Sequence, residues 1–82
     1  MTTIRVLGTG CANCRTLTGR TRQALTTLAI DTDVVEVHDP VEIAAAGIMS
    51  TPALEIDGEI VLAGRVPDVA RLEALLAERA AS

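Results

Sequence analysis

The chain carries two cysteines, Cys11 and Cys14, in the stretch Gly8-Thr9-Gly10-Cys11-Ala12-Asn13-Cys14-Arg15. A C-x-x-C pair of this kind has two chemistries open to it. Its thiolates can exchange electrons with a disulfide, or they can hold a soft metal ion. If a helix begins at Cys11, the two sulfurs lie about one turn apart, within reach of a disulfide, and they are chemically unequal. Cys11 falls where unpaired backbone N–H groups and the helix dipole favour an anion. Thiols at such positions ionise well below the ordinary cysteine value. Arg15, four residues on, adds positive potential. Cys14 instead joins an apolar stripe. One thiol is therefore expected to be exposed and activated, the other sheltered one turn along.

The elements that must hold this pair are legible on either side of it. Thr3 to Leu7 reads as a short apolar strand interrupted by Arg5. After it, Cys14, Leu17, Thr21, Ala24, Leu25 and Leu28 recur at helical spacing, with Arg15, Arg20, Arg22 and Gln23 on the opposite face. Gly19 lies inside this helix and is expected to serve close packing. Asp31-Thr32-Asp33 is turn chemistry, and Val34, Val35 and Val37 form a second strand ending near His38. Asp39 and Pro40 suit the N-cap and first position of a short helix over Val41 to Ala46, with Gly47 as its stop. The loop Ile48-Met49-Ser50-Thr51-Pro52 then enters a third strand, Ala53 to Ile56.

Asp57-Gly58 marks a hairpin into a fourth strand, Ile60 to Leu62. Leu54, Ile56, Ile60 and Leu62 share a face only if the loop has an odd number of residues, so a three-residue loop is expected. Gly64 ends that strand, and Pro67 opens a last helix with Val69, Leu72, Leu75 and Leu76 on its apolar side. The order is β-α-β-α-β-β-α, an α/β fold with a four-stranded mixed sheet and three helices. The hairpin is antiparallel and the first β-α-β a parallel crossover.

Composition narrows the class. The 82 residues suit one small domain, 1–82, whose core must be aliphatic because the chain has no aromatic residue although 49% of it is hydrophobic. The net charge of −4, with seven arginines and no lysine, speaks against nucleic acid, since there is no basic stripe with aromatic platforms. No apolar run reaches the roughly 18 residues a membrane span needs, and Met1-Thr2-Thr3 lacks the layout of a signal peptide. A cytoplasmic location is the expectation, and there a C-x-x-C is catalytic or metal-binding more often than a structural staple.

Strand-Gly-x-Gly-Cys-x-x-Cys-helix, followed by Thr51-Pro52 before the Asp57-Gly58 hairpin and a final helix, resembles a minimal thioredoxin fold. It is most similar to the small thioredoxin-like redox-active disulfide proteins of bacteria and archaea, and the likeness covers nearly the whole chain. The resemblance implies a strand order of second, first, third, fourth, with the third antiparallel to the first. It implies a thiol–disulfide oxidoreductase in which Cys11 attacks, Cys14 resolves, Pro52 is a cis-proline against the disulfide and the Thr51 backbone binds an extended substrate segment. The partners implied are protein disulfides and a thioredoxin-reductase-like electron donor, with a monomeric chain and no cofactor beyond the Cys11–Cys14 couple. This sequence departs from ordinary thioredoxins at three places. Gly10 stands where they carry Trp, Ala12-Asn13 separates the cysteines in place of Gly-Pro, and the first strand holds Arg5 and no acid.

The same loop also resembles the Gly-Met-x-Cys-x-x-Cys loop of heavy-metal-associated domains, which makes a Cu(I)-type carrier the alternative. Those domains run β-α-β-β-α-β and end on a strand, whereas this chain ends on an amphipathic helix. Zinc would want four ligands, and Cys11, Cys14 and His38 are the only soft or imidazole donors. His38 reads as a solvated strand-end residue, on the edge where the cysteines lie. Asp31, Asp33, Asp57 and Glu59 read as loop-solvating acids, and Met49 as local packing beside the disulfide.

Overall fold

A computed structural model describes residues 3–9, 12–48 and 50–80. Seven elements follow the expected order: β1 (Ile4–Leu7), α1 (Ala12–Thr27), β2 (Val34–Val37), α2 (Pro40–Ala45), β3 (Ala53–Ile56), β4 (Glu59–Ala63) and α3 (Val69–Ala80). The strands form one mixed sheet in the order β2-β1-β3-β4. β1 runs parallel to β2 and antiparallel to β3, and β3 and β4 form the hairpin. Both faces are covered, as apolar central strands require. Ile4, Val6, Leu54 and Ile56 meet Leu17, Ala24 and Leu25 of α1 and Leu72 and Leu76 of α3. On the other face Leu7, Val37 and Ala53 meet Ile43 of α2.

The local signals explain most boundaries. The buried side of α1 is Cys14, Leu17, Thr18, Thr21, Ala24 and Leu25, so the stripe read from spacing faces the sheet, with Thr18 added to it. Asp39 caps α2 by accepting a hydrogen bond from the Val41 N–H at 2.9 Å, and Gly47 beyond the helix has φ +76°. Arg5, a charge within a central strand, is tolerated because it lies directly opposite Glu55 on β3 and pairs with it at 3.1 Å.

Several expectations need correction. The β3–β4 loop has two residues, not three. Asp57 (φ 51°) and Gly58 (φ 84°) both take the positive φ of a type I′ hairpin turn. The parity conflict is resolved by a bulge instead: Ile60 opposes Glu55, Leu62 opposes Leu54, and Val61 is the extra residue between them. Ile60 therefore joins the α2-side cluster, while Leu62 packs with Leu54 and Ile56. Pro67 precedes α3 without opening it, since Asp68 Oδ1 accepts from the Arg71 N–H at 2.9 Å and acts as the cap. Gly19 is not a packing glycine, because a Cβ there would meet nothing within 4 Å.

Nor is Arg20 merely part of a solvated face. Its guanidinium donates to the Val66 and Pro67 carbonyls at 3.3 and 3.1 Å, tying α1 to the β4–α3 connection. Three of the four turn acids make defined bonds. Asp33 accepts from the Val34 N–H and from Arg22, Asp57 accepts from the Thr3 N–H, and Glu59 pairs with Arg79.

Candidate functional site

The site lies at the carboxyl end of β1, where α1 starts and the loop before β3 arrives. The Gly8 N–H donates to the Val37 carbonyl at 2.9 Å, carrying the β1–β2 pairing one residue beyond the strand. Cys14, in the first turns of α1, is 4% exposed and turned toward the sheet. Its sulfur lies so close to Gly8 that a Cβ built there would be 2.2 Å from Sγ. Real Cβ atoms do not approach sulfur so closely, so glycine at position 8 is what admits the thiol. The same Cβ would be 3.8 Å from Pro52 Cα. Gly8, Cys14 and Pro52 thus pack together although the sequence separates them widely.

The Thr51–Pro52 peptide bond is cis, Pro52 is buried and Thr51 is exposed. Gly64 anchors this loop. Its N–H donates to the Pro52 carbonyl at 2.8 Å, and with φ +74° it passes so near Ser50 that a Cβ would lie 2.9 Å from Ser50 Cβ. Gly64 is therefore a site-building residue as well as a strand terminator.

Cys11, the expected attacking thiol, and Met49 lie outside the described residues. Of the other expected site residues, the structure brings Cys14 and Pro52 together, with Thr51 on the exposed side of the proline. The first turn of α1 contains no acidic residue and includes Arg15, so nothing there opposes an anion at the helix start. Behind Cys14, a cavity of about 10 Å³ is lined by Val6, Gly8, Cys14, Arg15, Thr18, Glu36 and His38. His38 is the exposed strand-end residue expected; its Nε2 pairs with Glu36 Oε2 at 3.3 Å, and it also lies on the wall of this cavity.

Sequence reasoning missed Gly8 as a close-approach residue, and Thr18 and Glu36 as neighbours of the thiol. The signal for Gly8 is present in Gly-x-Gly-Cys, but the motif alone does not separate a turn from a close approach. Thr18 and Glu36 carry no signal until the β2-β1 pairing and the helix docking are known. Among the described residues no group of three or more His, Cys, Asp or Glu side chains converges as a metal site, and no helix is long and apolar enough to cross a membrane.

A four-stranded mixed sheet ordered β2-β1-β3-β4, with three helices and a buried cysteine facing a cis-proline, is the architecture of a thioredoxin fold. Comparison with known proteins agrees. The thioredoxin domain family matches residues 2–77. A thioredoxin of Methanothermobacter thermautotrophicus is 36% identical over 76 residues, covering 93% of this chain and 99% of that protein. A thioredoxin of Methanocaldococcus jannaschii is 36% identical over 73 residues, covering 89% of this chain and 84% of that protein. The chain belongs to the thioredoxin domain family and has a thioredoxin-like redox function.

Proposed function

We propose that the protein is a thiol–disulfide oxidoreductase that cycles Cys11 and Cys14 between dithiol and disulfide. Cys11 precedes the first residue of α1 in sequence, and a thiolate there attacks one sulfur of a substrate disulfide, forming a mixed disulfide and releasing the other substrate thiol. Cys14 then attacks Cys11 Sγ, closing the Cys11–Cys14 disulfide and releasing the second substrate thiol. Pro52 arrives beside Gly8, and the Thr51 backbone aligns the substrate segment. The observation that carries this reading is the burial of the Cys14 sulfur against Gly8 in the first turns of α1. A resolving thiol needs this arrangement: sheltered from outside oxidants and held in place.

The partners that follow are protein disulfides and a thioredoxin-reductase-like donor that returns the couple to the dithiol, with no further cofactor. The chain acts alone as a single domain. A cytoplasmic location is part of the proposal and rests on the likeness to the two thioredoxins. The test is a pair of variants. Cys11→Ser abolishes turnover of a test disulfide, and Cys14→Ser accumulates a mixed disulfide visible by mass. If either variant still turns over, and Cys14→Ser traps nothing, the reading is wrong.

A further inference from the structure

Most of the chain's arginines are engaged within the fold. Arg5 pairs with Glu55, Arg22 with Asp33 and Arg79 with Glu59, and Arg20 donates to the Val66 and Pro67 carbonyls. Arg65 and Arg71 differ: among the described residues, their guanidinium groups engage no acid and no carbonyl. Both are exposed on the wall of the same pocket, about 460 Å³ in volume, formed by β4, the β4–α3 connection and α3. Val61 and Leu62 of β4, Val66 and Pro67 of the connection and Leu75 of α3 make the rest of it apolar. No carboxylate among the described residues lines it. Asp68, the acid between the two arginines in sequence, is taken up in capping α3 through the Arg71 N–H.

Size, rigidity and charge define what such a pocket takes. Its volume falls within the roughly 300–1,000 Å³ of ordinary binding sites. Its wall is built in advance, because Arg20 grips the Val66 and Pro67 carbonyls from α1 at 3.3 and 3.1 Å. Its charge is opposite to that of the molecule: the chain has a net charge of −4, yet the pocket presents cations beside apolar side chains. Guanidinium groups in this setting select carboxylates. The apolar wall selects a segment with apolar residues between its acids. The place of the pocket in the fold indicates where that segment comes from. Ala63 and Arg65 lie on its wall and flank Gly64, whose N–H donates to the Pro52 carbonyl at 2.8 Å. The pocket therefore begins where the Pro52 loop is anchored, although it shares no lining residue with the cavity beside Cys14.

We propose that this pocket docks an acidic segment with interspersed apolar residues, carried by the protein whose disulfide the cysteines exchange. This rests on the disulfide-exchange reading and deepens it by naming a substrate class. A substrate strand that passes Thr51 continues past Gly64 into the pocket. There its carboxylates meet Arg65 and Arg71, and its apolar side chains cover Val61, Leu62 and Leu75. The bond-making atoms remain the two sulfurs. Arg65 and Arg71 govern which disulfide is captured, not how fast a captured one reacts.

The experiment mixes the reduced protein, in a single turnover, with peptides that share one internal disulfide. Their flanking arms on both sides are Leu-Glu-Leu-Glu, Leu-Gln-Leu-Gln or Leu-Lys-Leu-Lys. The acidic peptide should show the lowest half-saturation concentration at an equal maximal rate, and its advantage should fade as salt rises. A field set by net charge alone gives the opposite order, because the chain is negative. In the double variant Arg65→Gln/Arg71→Gln the second-order rate constant for the acidic peptide falls about tenfold, toward that of the neutral one. Arg22→Gln, which removes an arginine outside the pocket, leaves the preference intact. A peptide with Ser-Glu-Ser-Glu arms should be captured less well than the Leu-Glu form, since it leaves the apolar wall uncovered. Hydroxyethyl disulfide, small and uncharged, should react alike with wild type and double variant. Equal capture of the three arms by the wild type, or a preference that survives in the double variant, overturns the docking site. So does an equal loss in Arg22→Gln. A labelled acidic arm without cysteine reads the pocket by anisotropy, independently of turnover. If that arm binds the wild type and not the double variant, while no disulfide is reduced, the pocket stands and the disulfide-exchange reading fails.

Discussion

Two glycines border or lie within α1 and live in opposite environments. At Gly8, just before the helix, an added Cβ would press against Cys14 Sγ at 2.2 Å, whereas at Gly19, mid-helix, it would meet nothing within 4 Å. Neither residue has a positive φ, so backbone freedom explains neither. The difference is one of approach. At its first turns α1 is drawn tight onto the end of β1 and the Pro52 loop, because a sulfur must sit there. At Gly19 it faces solvent. The lesson is that the chain spends its steric tolerance at the redox end and leaves slack elsewhere.

Gly8→Ala is the strongest way to break this contrast. The displaced atom belongs to a buried side chain pinned near Pro52, so overpacking costs about 1–3 kcal/mol. In a domain this small, whose net stability is roughly 3–5 kcal/mol, much of the margin goes. Denaturant melts check the loss. Repeating them in a Cys14→Ala background tests the cause: if the sulfur is the obstacle, most of the cost disappears there.

The C-terminal end of α1 offers a second test in the opposite direction. Ala29 holds φ 56°, and the Ile30 and Ala29 N–H groups close back onto the Leu25 and Thr26 carbonyls at 3.0 and 3.1 Å. This is a Schellman cap built on alanine where glycine is the usual choice. Ala29→Gly is expected to stabilise the protein by about 1 kcal/mol, read as a higher denaturation midpoint. Gly19→Ala sharpens the comparison at its slack side. It should add about 0.5–1 kcal/mol, because an exposed helical glycine carries only an entropic cost. A loss of stability on Gly19→Ala would mean that the middle of α1 is less open than its surroundings indicate.

The smallest effect concerns acid. Asp33 is held below its ordinary 3.8, first by the Val34 N–H and then by the Arg22 hydrogen bond. Glu59 is held below its ordinary 4.5 by the hydrogen bond from Arg79 and then by its charge. A lowered folded-state pKa contributes stability that is complete above the unfolded value and is lost as pH falls through the folded one. Both groups are exposed, so the contribution is modest. Asp33→Asn should make stability fall less steeply below about pH 3.8, and Glu59→Gln below about pH 4.5. At the redox end, by contrast, these two substitutions should leave Cys14 alkylation untouched.

Much of the fold was legible because its signals are local. The stripe from Cys14 to Leu25 sets which side of α1 is buried, and helical spacing needs only neighbours along the chain. Asp39 before Pro40 likewise declares a cap within three residues. The hairpin loop was misjudged because parity assumes an unbroken ladder, and the bulge at Val61 is a property of the paired strands, not of either one. The Ala29 cap was invisible for a different reason: alanine gives no hint of a left-handed conformation.

The sequence by itself determined the order of elements, the register of α1 and the C-x-x-C at the mouth of that helix. Periodicity, capping and turn chemistry act over a few residues. Only the tertiary structure decided that Gly8 must lack a side chain to admit Cys14 and that Pro52 would arrive beside them. It also decided that Glu36, His38 and Thr18 would share a cavity behind the thiol. Those contacts join residues far apart in the chain. They exist because β2 pairs with β1, β1 with β3, and α1 packs across them, an arrangement fixed by burying the whole apolar set at once.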